Sequence, residues 1–174
     1  SHVLCVASSH FGSAEKQFRY PLAYANQRPL SATWTVTGCG AFVVGNTGRV
    51  RITGITTGKI VDYGLRDSMN MGACMAPAAA DTIIQNLEDF GRKPEDYDQI
   101  ITGDLGKVGK EILLTLMKEQ GVDISRQHAD CGIEIYDAET QDTHSGGSGC
   151  GCSAVTLGAY ILDQLAEGRW KRVL

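Results

Sequence analysis

The residues with the most scope for chemistry lie in one run, His144-Ser145-Gly146-Gly147-Ser148-Gly149-Cys150-Gly151-Cys152-Ser153-Ala154, directly ahead of an apolar-periodic segment from Val155 to Gly168. Four glycines in these eleven residues remove Cβ atoms where backbone must bend or approach something closely, and Ser153 is placed to cap the helix that follows. The first N–H groups of a helix have no internal partner and carry the positive end of its dipole. A glycine turn feeding a helix can therefore receive a carboxylate, a phosphate or a developing oxyanion. The same glycines also suit tight packing against another backbone, and the stretch by itself is compatible with both uses.

Named motifs fit this run poorly. Gly149-Cys150-Gly151-Cys152-Ser153-Ala154 has the loose G-x-G-x-x-A form, but polar residues precede it where a dinucleotide site needs a strand. Gly106-Lys107 is followed by Val108 and Gly109-Lys110 by Glu111, so no Ser or Thr stands where a Walker A motif places its magnesium ligand. Cys150 and Cys152, even with His144 and Cys131, lack the second ligand pair of a zinc site, and no metal is expected. Met69, Met71 and Met75 read as core filler at a helix entrance.

A second candidate is Asp104, in Gly103-Asp104-Leu105-Gly106 after the short strand Asp98 to Thr102. Spacing alone favours it as a cap for the helix beginning near Val108. Its alternative is functional, accepting a hydrogen bond or contacting a cation bound with a ligand, because ligands in parallel sheets bind beyond the carboxyl ends of strands.

The elements that must position these residues follow from periodicity. Val3 to Ala7 reads as a buried strand. Phe11 to Leu30 is a long aromatic connection broken at Tyr20-Pro21 and Arg28-Pro29. Thr33 to Thr37 and Ala41 to Val44 read as an extended strand interrupted at Gly38-Cys39-Gly40 by a bulge or a close backbone approach. Val50 to Thr56 alternates and, with Lys59 to Tyr63, predicts a hairpin. A helix is expected with Pro77 in its first turn, Ile83, Leu87 and Phe90 on one face and Gly91 at its end. The next helix shows Val108, Ile112, Leu113, Leu116 and Met117 and stops at Gly121. Cys131 to Tyr136 reads as a short strand or extended arm, and Trp170 to Leu174 as the start of a strand. Helix, strand, loop, helix is an α/β rhythm with parallel crossovers.

Totals narrow the function. The chain has 174 residues, enough for one domain or part of one, and its start inside a strand reads as a cut. A net charge of -4 without a basic run argues against nucleic acid as a partner. No segment reaches the roughly 18 to 20 apolar residues of a membrane helix, and no signal peptide opens the sequence. Six cysteines in apolar or glycine-rich surroundings point to reduced thiols in a cytosolic setting.

Four runs carry a resemblance: Trp34-Thr35-Val36-Thr37-Gly38; Met71-Gly72-Ala73 through Pro77-Ala78-Ala79-Ala80-Asp81-Thr82; Thr102 through Gly109; and His144 through Ser153. They closely resemble a thiolase-like family of sporulation proteins from spore-forming Firmicutes, over essentially the whole chain. The resemblance implies an α/β fold with five-layered αβαβα architecture built from two similar halves, of which this chain is an incomplete piece. Residues 1–48 would be the last strands of the first half, and residues 49–174 the second half without its final strand. The nucleophilic cysteine of thiolase-like enzymes would lie before Ser1.

Condensing enzymes of this kind activate an acyl-carrying cysteine with a histidine and a second histidine or asparagine. By resemblance, Asp104 stands where ketosynthase-like members carry their histidine, and the turn from Gly146 to Ser153 matches the second catalytic loop with its asparagine or histidine replaced. An ionised carboxylate cannot donate to an oxyanion, so the resemblance implies a protein without catalysis or cofactor that retains a pocket for dipicolinic acid or its calcium chelate. Its expected role is uptake of that ligand into the developing spore and release in germination. Asp104 and Ser148 are expected in the pocket, with Gly147 and Gly149 as backbone neighbours and His144 and Lys107 as further candidates. Expected partners are membrane channel subunits, docked through Phe11 to Leu30, and a second copy in a homodimer. The chain is expected to be made in the cytoplasm and to sit peripherally at the spore inner membrane. The competing readings are an acyl-thioester condensing enzyme, with Cys150 or Cys152 as nucleophile, and a channel scaffold.

Overall fold

The computed structural model describes residues 1–17 and 29–174. Strand β1 (Val3–Ser9) is followed by α1 (Phe11–Gln17), β2 (Trp34–Thr35) and β3 (Gly38–Val44). Then come α2 (Met71–Asp89), β4 (Ile100–Thr102), α3 (Gly106–Glu119), β5 (His128–Asp130), α4 (Cys131–Glu134) and β6 (Gly147–Ser148). The chain closes with α5 (Cys150–Thr156), a π turn over Leu157–Ile161, and α6 (Leu162–Ala166). The result is mixed α/β with three small sheets: β1 antiparallel to β3, β2 parallel to β6, and β4 parallel to β5.

The β4–α3–β5 unit is the expected parallel crossover. Its sheet gains a third member at the carboxyl end, where the Ile101 N–H donates to the Leu174 carbonyl and the Leu174 N–H to the Gln99 carbonyl. Residues 172–174 thus lie along β4, as the strand reading anticipated. Strand β5 itself was not anticipated, because His-Ala-Asp has neither length nor β-branched residues to signal it.

Helices α2 and α3 pack closely where they cross. A Cβ on Gly72 would stand 2.8 Å from the Gly109 backbone nitrogen, and one on Gly109 would stand 2.9 Å from the Gly72 Cα. Only paired glycines let the two backbones approach this far. Around this contact Ala76, Ala80, Ile83 and Leu87 of α2 meet Leu113 and Met117 of α3 over Ile100. Leu113 and Met117 are fully buried, and each such side chain contributes about 1.5–3 kcal/mol. A second cluster joins Val36, Cys131, Cys152 and Ile161 beneath α5.

Five local expectations are corrected. Helix α2 begins at Met71, where the Asn70 side chain accepts the Ala73 N–H, so Pro77 lies inside the helix and forfeits one backbone bond there. Of the methionines, Met75 packs partly on the core while Met71 is exposed. Val50 to Tyr63 forms no hairpin; the segment runs beside α2, tied by Asn86 Nδ2 to Thr56 Oγ1 at 2.8 Å and by Lys59 to Asp81 at 2.7 Å. Alternation makes a strand only where another strand offers its edge, and here Ile52, Ile55 and Ile60 stay exposed. Cys131 to Glu134 is helical, because β5 ends at Asp130 and the chain turns at once. Ser153 lies inside α5, which starts at Cys150 with Gly149 as its N-cap residue.

The residues before 48 do not stand apart from the rest. Trp34 and Thr35 pair with Gly147 and Ser148, and β1 and β3 pack one face on α5, with Gly40 against Ala154. The break in the strand expected over residues 33–44 falls at Val36-Thr37, and the close backbone approach at Gly40 is the one anticipated. The opposite face of the β1–β3 pair, with Leu4, Val6 and Val43, is exposed. Of the connection from Phe11 to Leu30, residues 18–28 fall outside the described residues. Within the described part, the Phe11 ring stacks on Trp34 at 4.3 Å between centroids. No helix among the described residues is long and apolar enough to cross a membrane.

His128 gives the fold an acid sensitivity. Burial, aided by the Lys110 charge, depresses its pKa from 6.5 to about 4. The unfolded chain then binds the proton more readily, so the stability this neutral histidine contributes is complete above pH 6.5 and is lost as pH falls toward about 4. Urea unfolding across that window is expected to show a decline approaching ~3 kcal/mol that His128→Gln removes.

Candidate functional site

Two loops meet at the carboxyl ends of β4 and β6. The first, Gly103-Asp104-Leu105, leaves β4, and the second is the glycine turn from Ser145 to Gly149. They join where the Gly149 N–H donates to Asp104 Oδ2 at 3.0 Å. Residues 45 apart in sequence are thus brought into one place, as expected for Asp104 and the turn.

The cap of α3 is a different residue. Asp130, fully buried at the end of β5, accepts the Leu105 N–H at 2.9 Å, the Gly106 N–H at 3.0 Å and the Thr102 hydroxyl at 2.6 Å. Asp104 does not cap α3, because its carboxylate is drawn across to the glycine turn instead. The next two N–H groups of α3, those of Lys107 and Val108, donate to the Ser145 carbonyl and hydroxyl. Ser145 therefore fastens the glycine turn to the start of α3 while its own N–H donates to the Ala32 carbonyl.

The turn is held by backbone contact. Gly146 has φ +119°, and a Cβ there would lie 2.4 Å from the Gly132 carbonyl oxygen. A Cβ on Gly132 would reciprocally lie 2.3 Å from the Gly147 carbonyl oxygen. Both readings of the glycines therefore hold in part: the turn packs tightly against α4, and one of its N–H groups meets a carboxylate.

The remaining expected residues divide. Ser148 is buried in β6, with its carbonyl accepting the Val36 N–H, and Gly147 is buried beneath Ile135, Tyr136 and Val36. His144 points its chemistry elsewhere: its ring nitrogens meet the Pro29 carbonyl at 2.9 Å and Asp142 at 3.1 Å. Lys107 is exposed. Sequence reasoning missed Ser9, whose hydroxyl donates to the Val36 carbonyl at 2.6 Å and accepts the Gly151 N–H at 2.9 Å. It also missed Asp130 and Ser145. Nothing local marks these three, since each acquires its role from a partner far away in the chain.

The two buried thiols beside the site are held protonated. Burial, reinforced by neighbouring Cys131, Asp104 and Asp130, pushes Cys152 up to about 12. Burial and the Asp130 charge push Cys131 up to about 11. Cys150 is exposed at the start of α5. Among the described residues no group of three His, Cys, Asp or Glu side chains is arranged to hold a metal ion. A cavity of about 320 Å³ lies between residues 59–63 and α2, and its lining includes none of the residues of the two loops.

The comparisons with known proteins agree with one another. The sequence profile of the stage V sporulation protein AD family (SpoVAD) matches residues 1–174. Stage V sporulation protein AD of Bacillus subtilis (strain 168) is 49% identical over 171 residues, covering 98% of this chain and 50% of the relative. The chain spans about half the length of that relative. A profile match from end to end and an identity this high leave one assignment: the chain belongs to the stage V sporulation protein AD family of sporulation proteins.

Proposed function

We propose that the chain is part of a non-catalytic, thiolase-like binding protein whose ligand is dipicolinic acid or its calcium chelate, taken up into spores in sporulation and released in germination. The observation that carries this reading is the meeting of Asp104 with the Gly149 N–H beside buried Ser148. A carboxylate already sits on the turn's amide, which is the interaction a small planar dicarboxylate would make there. In this reading Asp104 keeps the turn organised for the ligand, and calcium enters as part of the ligand, held by the ligand's own carboxylates. In this reading the rest of a protein as long as the Bacillus subtilis relative contributes part of the pocket wall. The raised pKa of the buried Cys152 thiol argues against Cys152 as the nucleophile of the acyl-transfer reading, since a thiol nucleophile works as its thiolate. Membrane channel subunits and a second copy are the partners this reading includes, with the protein peripheral at the spore inner membrane.

Isothermal titration with dipicolinic acid, with and without calcium, tests the reading on this chain and on the full-length relative. Saturable heat is expected, weakened roughly tenfold by Asp104→Ala and by Ser148→Ala, with the far-ultraviolet circular dichroism unchanged. Unaltered affinity in both variants would remove these residues from the site. Absence of heat in the full-length protein under every condition would move the reading to a scaffold role.

A further inference from the structure

The loop that carries Asp104 is pinned at both ends by one buried network. On its β4 side, Thr102 Oγ1 lies 2.6 Å from Asp130 Oδ2 and 3.0 Å from His128 Nε2. On its α3 side, the Leu105 and Gly106 N–H groups donate to the same Asp130 carboxylate. His128 and Asp130 are two apart on β5 and so share a face, with Thr102 directly opposite Asp130.

Proton counting sets the histidine's state. A hydroxyl has one proton, and a carboxylate can only accept, so the Thr102 proton goes to Asp130. His128 must then present Nε2–H to the Thr102 oxygen, which leaves Nδ1 as the bare nitrogen. Nδ1 is buried and has no hydrogen-bond partner among the described residues. The charged groups around the ring are Asp130, reached through Thr102 of β4, and Lys110 of α3, whose ammonium donates to the His128 carbonyl at 3.3 Å. A proton added at Nδ1 would be a buried donor without an acceptor, close to a second cation. The imidazolium would find its counter-charge in Asp130, in competition with the Leu105 and Gly106 amides.

We propose that His128 is a positioning residue for the Asp104–Gly149 site: its neutral, Nε2-protonated form maintains the Thr102–Asp130 bridge that sets the loop, and protonation of the ring releases it. The inference rests on the binding reading only for the identity of the ligand, because the geometry of the site can be followed without one.

The test follows the backbone amides of Gly149, Leu105 and Gly106 by nuclear magnetic resonance in the full chain, alongside the His128 ring, from about pH 7 to about pH 3, a range that spans the ring's own titration. In the unmodified protein all three amides are expected to track the ring's titration. In His128→Gln, which keeps an N–H donor toward Thr102, that component disappears. Identical pH courses in the two proteins would overturn the proposal. Thr102→Val keeps the side-chain shape but removes the bridge, and serves where His128→Gln fails to fold. There the amides are expected to stop following His128, and amides that still follow it would overturn the proposed route. In parallel, the fall in dipicolinate affinity over the window is expected to be about tenfold larger in the unmodified protein than in His128→Gln, because protonation of the ligand's own carboxylates is common to both. Amides that follow His128 without any dipicolinate binding would sink the ligand assignment and leave the positioning role standing.

Discussion

Asp130→Ala is expected to lower stability by about 3–5 kcal/mol. The carboxylate is wholly buried and serves three donors on two elements: the Thr102 hydroxyl, the Leu105 N–H and the Gly106 N–H. Truncation strips all three of their acceptor where water cannot replace it, and each stranded buried donor costs about 1–3 kcal/mol before relaxation. The start of α3 loses its cap in the same stroke, and the α3 end of the loop carrying Asp104 is left to the bonds from the Lys107 and Val108 N–H groups to Ser145. Asp130→Asn retains the volume and one good acceptor, and should cost less than half as much. Urea midpoints for the two variants check the ordering. Equal losses would show that the charge, and not the count of acceptors, is what the site requires.

Gly132→Ala is the second change with a large expected effect, and its cause is steric. The new Cβ would sit 2.3 Å from the Gly147 carbonyl oxygen and 3.0 Å from Asp130 Oδ1. The nearest obstacle is backbone that is itself paired with β2, so it cannot rotate away as a flexible side chain would. Relief requires α4 and the glycine turn to separate, which moves Gly147 through Gly149 off their partners. A loss of about 3 kcal/mol or more is expected, accompanied by faster hydrogen exchange at the Gly149 amide. Gly121→Ala is the control. Unlike Gly132 it has positive φ, at +77°, and nothing lies within 4 Å of its added Cβ, so its cost is the left-handed backbone alone, about 1–2 kcal/mol. Similar midpoints for the two variants would mean that the turn and α4 separate easily.

Sequence by itself determined the elements whose signals are local. The apolar stripe Leu113, Met117 and their neighbours marked α3, the Gly121 stop marked its end, and the strand–loop–helix rhythm marked a parallel crossover, because side-chain period and turn chemistry are properties of a few consecutive residues. It also singled out the glycine turn and Asp104 as the residues to watch. Tertiary structure decided everything that depends on a distant partner. Val50 to Tyr63 has strand chemistry but pairs with no strand among the described residues, so it forms no hairpin. His-Ala-Asp has almost no strand chemistry, yet becomes β5 because β4 supplies an edge. The spacing that made Asp104 the natural cap for α3 was overruled by Asp130, which arrives from another strand, already buried and within reach of both N–H groups. Asp104 was left to take the Gly149 N–H. A cap is chosen by which acceptor reaches a desolvated donor at the lowest cost, and that choice is made only when the chain has folded.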